Sequence, residues 1–119
     1  MISIILPTFN RDFIISSTIN CVLKQSFVKY ELIIIDDCST DNTAKIIHDY
    51  CNKDERIKYI KNRQNIGCAE SREIGCQNSA GNFIVFLDDD DEWPPDKLMK
   101  QYNSLTHNNS DVVISDYYI

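Results

Sequence analysis

An α/β fold, an open and mainly parallel sheet flanked by helices, is the class that this 119-residue sequence predicts. Short β-rich runs alternate with segments of helical periodicity, and most of the runs are continuously apolar, as strands covered on both faces require. Polar residues also cluster just past the end of each successive run. In an open α/β sheet that edge is where ligands bind. One domain, residues 1–119, accommodates the whole chain, with a single core burying roughly two thirds of its unfolded surface.

The first strand is expected at 2–6 and runs into Pro7-Thr8-Phe9-Asn10. Ile14, Ile15, Ile19, Val22 and Leu23 then recur at helical spacing and form a crossover helix. A second strand at 32–35 ends on Asp36 and Asp37, and Ser39, Thr40 and Asp41 offer N-caps for a helix bearing Ala44, Ile47, Tyr50 and Cys51. After a third strand at 57–60, Asn65 or Gly67 opens a third helix. Its expected buried face, Ala69, Gly75, Cys76 and Ala80, is small enough to let the helix lie close to the sheet. The fourth strand, 83–87, reads Phe-Ile-Val-Phe-Leu and leads straight into Asp88, Asp89, Asp90, Asp91 and Glu92 before Pro94 and Pro95 stop it. Leu98, Met99, Tyr102 and Leu105 mark a fourth helix, and 112–114 a fifth strand. The chain then stops on aromatic and apolar residues and reads as truncated.

The junction of strand and acid run carries the most chemistry. Two like charges about 4 Å apart repel by roughly 4 kcal/mol at an effective dielectric near 20, so a fold that gathers carboxylates at a strand end needs a compensating cation. A divalent metal suits that need. In extended backbone Asp88 and Asp90 share one side and Asp89 and Asp91 the other, which offers an Asp-x-Asp pair to one ion. The bland alternative is a solvated acidic loop. Asp36 and Asp37 likewise read as turn residues, Phe9 as core, and Arg72 as an ion-pair partner of Glu70 or Glu73. Convergence on one edge favours a site: carboxylates hold a diphosphate through a bridging cation, an Asp accepts from a base N–H, and an aromatic stacks on the base. Neither Gly-x-x-x-x-Gly-Lys-Ser/Thr nor Gly-x-Gly-x-x-Gly is present, which removes the familiar phosphate-cradling loops.

The formal net charge is −6, and the acid run at 88–92 supplies all but one of those charges. A near-neutral body with one acidic focus argues against nucleic acid as a partner, since Lys53, Arg56, Lys58, Lys61 and Arg63 are interleaved with acids. Five cysteines, with no Cys-x-x-Cys pair, fit neither a disulfide framework nor a zinc site. A soluble, cytoplasmic protein is expected. No charged leader precedes an apolar core, and no apolar stretch approaches the roughly 20 residues of a membrane span.

Four ordered segments carry a family resemblance: Ile-Ser-Ile-Ile-Leu-Pro-Thr-Phe-Asn-Arg from residue 2, Glu-Leu-Ile-Ile-Ile-Asp-Asp-Cys-Ser-Thr-Asp-Asn-Thr from 31, Asn-Ile-Gly-Cys-Ala-Glu-Ser-Arg from 65, and Phe-Leu-Asp-Asp-Asp-Asp-Glu-Trp-Pro-Pro-Asp-Lys-Leu from 86. Together they resemble family 2 glycosyltransferases of the GT-A, Rossmann-like fold, over nearly the whole chain. The resemblance implies that Pro7, Thr8, Phe9 and Asn10 line a nucleotide pocket and that Asp37, with Asp36 beside it, binds the base, usually uracil. It implies that Arg72 approaches the nucleotide sugar together with Asp88 and Asp89. Asp88 and Asp90 match the Asp-x-Asp metal motif, with Asp90 the direct ligand of Mg²⁺ or Mn²⁺. Glu73 departs from the asparagine common at its position.

The same resemblance implies a transferase using a nucleotide-diphosphate sugar, a UDP-sugar first, to glycosylate a hydroxyl of a sugar or glycolipid acceptor in polysaccharide or glycoconjugate synthesis. This chain would be its donor-binding half, and the full enzyme peripheral to the inner face of the membrane. The general base is expected beyond Ile119, because Asp111 and Asp116 lie too early to match it. A binding-only or vestigial nucleotide-sugar module is the alternative. A phosphoacceptor receiver domain would put its acid pair after the first strand, where Pro-Thr-Phe-Asn stands, and a nucleotidyltransferase would need an early glycine-rich basic loop. Self-association through the C-terminal end is expected from its apolar strand and tail.

Overall fold

The computed structural model describes residues 1–113. Four strands, β1 (Ile2–Thr8), β2 (Tyr30–Asp36), β3 (Ile57–Lys61) and β4 (Phe83–Phe86), alternate with four helices, α1 (Ile15–Leu23), α2 (Thr43–Lys53), α3 (Cys68–Gln77) and α4 (Lys97–His107), among the described residues. The sheet order is β3-β2-β1-β4 and every pairing is parallel, with Ile4 opposite both Leu32 and Val85. Successive parallel strands need crossovers of one hand. The chain therefore lays α1 and α2 on one face while stepping outward to β3, and α3 on the other face while returning past β1 to β4. The reversal falls between β1 and β4, and a crevice opens there at the strand ends.

The larger core lies on the α1/α2 face, where Ile4, Leu6, Leu32 and Ile34 meet Ile15, Ile19 and Val22 of α1 and Ile47 of α2. Leu98 of α4 joins this layer, and Tyr102 stacks on Phe27 with ring centroids 4.8 Å apart. Ile5, Ile33 and Ile35 form the smaller core on the α3 face. Gly75 makes that contact possible: a Cβ there would fall 2.5 Å from Ile5 Cγ2 and 2.8 Å from Ile35 Cδ1.

Several sequence expectations need correcting. α3 buries Ser71 and Gly75, with Cys76 half-buried, whereas Ala69 and Ala80 are exposed. The i, i+4 pair lies squarely on the sheet, while Ala69 lies off that face and Ala80 follows the helix. Coverage on both faces holds for β1 and β2, whose every residue is buried. It fails for β4, because α3 packs over β1 and β2 and leaves Ile84 and Phe86 45% and 51% exposed. Asn42 takes the N-cap position of α2 without a side-chain bond, although Asp41 Oδ1 still accepts the Thr43 N–H at 2.9 Å. Gly67, at φ +95°, opens α3 as expected. Of the strand expected at 112–114, Val112 and Val113 are in irregular chain and Ile114 lies outside the described residues. No described helix is long and apolar enough to cross a membrane.

Candidate functional site

A cavity of about 480 Å³ occupies the crevice at the C-terminal ends of the strands. Residues 7–11 form one wall, Asp37, Cys68 and Ser71 the floor towards α3, and Asp88, Asp89 and Asp90 the opposite wall. The volume is within the range of small-molecule sites.

The first wall is bolted to the loop after β2. Asn10, in the left-handed region at φ 51°, donates its N–H to Ser39 Oγ at 2.9 Å and accepts the Thr40 N–H on Oδ1 at 2.8 Å. Arg11 N–H donates to Thr43 Oγ1 at 2.9 Å. Phe9 remains 43% exposed, an aromatic face left at the cavity rather than the core residue that its hydrophobicity also allowed.

The two acids at the end of β2 have different environments. Asp36 is fully buried and does not line the cavity; its oxygens accept the Ser39 N–H at 2.8 Å and the Tyr59 hydroxyl at 2.7 Å. Burial and the neighbouring Asp36 charge push the Tyr59 hydroxyl far above its ordinary range, so it stays a donor. Asp36 therefore braces the loop instead of sitting in the pocket beside Asp37. Asp37 does line the cavity, and accepts from Asn62 Nδ2 at 2.9 Å and from the N–H groups of Ile66 at 2.9 Å and Gly67 at 2.8 Å. Burial alone would raise its pKa, but these bonds outweigh it and hold the carboxyl below the ordinary range. An ionised carboxylate offers about four acceptor positions, so roughly one remains for a ligand.

The acid run does not continue in extended backbone. A turn at Asp89 and Asp90, closed by the Asp91 N–H to the Asp88 carbonyl at 3.1 Å, breaks the expected alternation. Carboxylate oxygens of Asp88, Asp90 and Asp91 thereby come within 4.8 Å of one another. Asp89 points away, accepting from Thr8 Oγ1 and Arg11 Nε, both at 3.2 Å. Burial pushes its carboxyl up, and the attraction of Arg11 and the Thr8 bond offset that only in part. Thr18 of α1 donates to the Asp89 carbonyl at 2.7 Å, and Gln25 donates to the Pro94 carbonyl at 2.8 Å while accepting the Leu98 N–H at 3.1 Å. The loop is thus anchored from both sides. Arg72 pairs with Asp88 at 2.7 Å rather than with Glu70 or Glu73.

Sequence reasoning puts Asn62 on the strand-end edge but misses Arg11, Ser71 and Cys68 as parts of the site. Arg11 did carry a signal, because it directly follows Asn10, a strand-end position already singled out. Ser71 and Cys68 depend on how α3 is rotated, which local sequence does not fix.

An open parallel sheet with an acid turn across the β1/β4 reversal defines an open α/β domain with its cavity at the strand ends. The family model described as "Glycosyl transferase family 2" matches residues 3–119, and the chain belongs to that family. The Bacillus subtilis protein TuaG, named for teichuronic acid biosynthesis, is 42% identical over 101 residues, covering 85% of this chain and 40% of TuaG. The Escherichia coli UDP-Glc:alpha-D-GlcNAc-diphosphoundecaprenol beta-1,3-glucosyltransferase WfgD is 37% identical over 119 residues, all of this chain and 46% of WfgD. The chain therefore spans less than half the length of these relatives. Among solved structures, S. aureus TarS 1-349 in complex with UDP-GlcNAc superposes with a TM-score of 0.87 at 31% identity, over 92% of this chain and 32% of that one.

Proposed function

We propose that the chain is the donor-binding half of a glycosyltransferase that takes a UDP-sugar with Mg²⁺ or Mn²⁺ and glycosylates a hydroxyl of a sugar or glycolipid acceptor in polysaccharide or glycoconjugate assembly. The observation that carries this reading is the shared cavity: Asp37, with about one acceptor position left, and Asp88 and Asp90 of the carboxylate cluster border one space from different strand ends. The UDP-GlcNAc complex of TarS and the donor named for WfgD support the uridine nucleotide.

The residues suit their parts. Asp37 accepts a base N–H on its remaining position, Phe9 offers a face for stacking, and Thr8 and Asn10 border the nucleotide. Arg72, tied to Asp88 at the diphosphate end, approaches the nucleotide sugar. Three clustered carboxylates are hard oxygen donors of the kind that Mg²⁺ and Mn²⁺ prefer, so Asp90, with Asp88 and Asp91, fits such an ion. A cation held by these carboxylates would supply positive charge to offset that of the nucleotide diphosphate.

The cavity's carboxylates are all committed to the loop, the base or the cation cluster, so acceptor activation falls to another part of the enzyme. Asp111 lines a different groove, along β4 and α4. The five free cysteines support a reducing, cytoplasmic setting. Exposed Ile84, Phe86 and Val112 support self-association through this end of the sheet. Titration calorimetry with UDP tests the main claim: binding is expected with Mn²⁺ and largely lost in chelator, and equal binding in both would remove the metal bridge.

A further inference from the structure

Asp37, Asn62 and Ser71 meet in one corner of the cavity floor, and the direction of each proton there follows from charge. Asp37 takes three N–H donors, from Asn62, Ile66 and Gly67, and acts as an ionised, acceptor-only carboxylate. The Asn62 side chain must therefore turn its NH₂, and not its oxygen, towards Asp37 Oδ1 at 2.9 Å. The same nitrogen lies 3.0 Å from Ser71 Oγ and sends its second proton there. Ser71 Oγ is thus used as an acceptor, and its own proton is left over.

Among the described residues nothing accepts that proton. The Gly67 carbonyl, the local acceptor a helical serine commonly turns back to, takes the Ser71 N–H at 3.1 Å instead. Ser71 is 0% exposed, so water does not reach it, yet it borders the cavity. A buried donor without an acceptor costs free energy, and a ligand atom pressed onto the floor supplies what is lacking. Asp37 offers the opposite: Oδ1 is filled by Asn62 and Ile66, whereas Oδ2 receives only Gly67 at 2.8 Å, so the free acceptor position is on Oδ2. A free acceptor and a free donor stand side by side, joined through one amide nitrogen.

We propose that Ser71 is a specificity-determining residue that reads the nucleotide base together with Asp37: Asp37 Oδ2 accepts the ring imide N–H of uracil, and the Ser71 hydroxyl donates to one of the two carbonyl oxygens flanking that N–H. This rests on the donor-binding reading and names the edge of the base that the site selects. Cytosine carries a lone pair where uracil carries the imide N–H, and so sets an acceptor against the Asp37 carboxylate. A site built to pair a ligand N–H rejects the analogue lacking it, because its own buried groups are then left unpaired.

Titration calorimetry of the purified chain with UDP, 2-thio-UDP and 4-thio-UDP, all in Mn²⁺, tests the Ser71 contact. Sulfur is a weak acceptor, so the wild type should bind one of the two thio analogues about three- to tenfold more weakly than UDP, the scale of one neutral hydrogen bond. Ser71→Ala should bind UDP more weakly by a similar factor and no longer distinguish it from that analogue. Ser71→Cys, no smaller than serine but a weak donor, should do the same, which separates the lost hydrogen bond from added room. A purely structural role in the floor would instead weaken all three ligands alike and leave their ratios unchanged. Each comparison is between ligands on one protein, so a variant's loss of stability cancels. Equal binding of UDP and both analogues by the wild type, or a penalty that persists in Ser71→Ala, overturns the proposal. Failure of UDP to bind the wild type in Mn²⁺ overturns the donor reading itself, and is told apart because it appears before any analogue or variant is compared.

Discussion

Asn62 donates its side-chain amide to Asp37 Oδ1 at 2.9 Å and to Ser71 Oγ at 3.0 Å, both bonds buried. One side chain thus ties the end of β2, the end of β3 and the first turns of α3. Asn62 is itself held by its N–H to the Asp36 carbonyl at 2.8 Å. The cavity floor is therefore a stitched seam between strands, and Asp37 belongs both to the seam and to the pocket.

Asp37→Asn should cost about 1–3 kcal/mol at pH 7, because it turns an amide N–H₂ towards groups that already donate. The pH dependence has a definite sign. A depressed carboxylate pKa contributes stability that is present above the unfolded value of about 3.9 and is lost as pH falls through the folded value. Urea unfolding of wild type and variant should differ clearly at pH 7 and converge towards pH 3. A gap that persists undiminished in acid would mean the carboxylate charge is not what holds the seam.

Gly75→Ala tests the fit of α3 on the sheet. Helix propensity alone favours alanine by about 1 kcal/mol, but its methyl would meet Ile5 and Ile35 at 2.5 and 2.8 Å. Overpacking of this kind costs about 1–3 kcal/mol, and a β-branched isoleucine yields little at Cγ2. A lower melting temperature is expected, with weaker ligand binding as Ser71 is displaced. An unchanged or higher melting temperature would show that the helix can lift freely.

Asp90→Asn keeps the shape of the acid turn and removes one charged oxygen from the cluster. UDP binding in Mn²⁺ should fall to the level seen in chelator. Asp111→Asn, in the groove along β4, should bind as wild type does. Equal losses in the two variants would point to bulk charge rather than to a cation held at the turn.

The fold was legible because β1 and β2 are buried throughout and each has a continuous apolar run at its centre, 4–6 and 32–35. β4 reads the same way, yet is bare on one face: Ile84 and Phe86 resemble Ile33 and Ile35 in sequence and differ only in whether α3 reaches them. Coverage is a tertiary fact, invisible to hydropathy. The same limit applies at the site. Asp36 and Asp37 are adjacent, chemically identical and stand together at the end of β2, and only the neighbours supplied by β3 and α3 decide that one braces and the other lines the cavity. Asp88 and Asp90 were grouped by assuming extended backbone. The structure groups them by a turn, which recruits Asp91 and frees Asp89 to anchor the loop.

β4 ends the sheet order, so its outer edge has no strand partner among the described residues, and Ile84 and Phe86 present apolar surface beside it. An edge with unpaired backbone groups and exposed β-branched or aromatic side chains is a template for another strand. Sedimentation velocity should therefore show association that grows with protein concentration. Ile84→Lys should weaken it, because a charge on an edge strand opposes strand addition, while leaving UDP binding intact since Ile84 does not line the cavity. Phe86 is the poorer choice for this test, as its ring lies under the Arg72 guanidinium and a change there would disturb the acid turn as well. A clean monomer over a hundredfold concentration range, for wild type and variant alike, would mean that the open face of β4 is not sticky, and that the exposed isoleucine and phenylalanine are tolerated as ordinary surface.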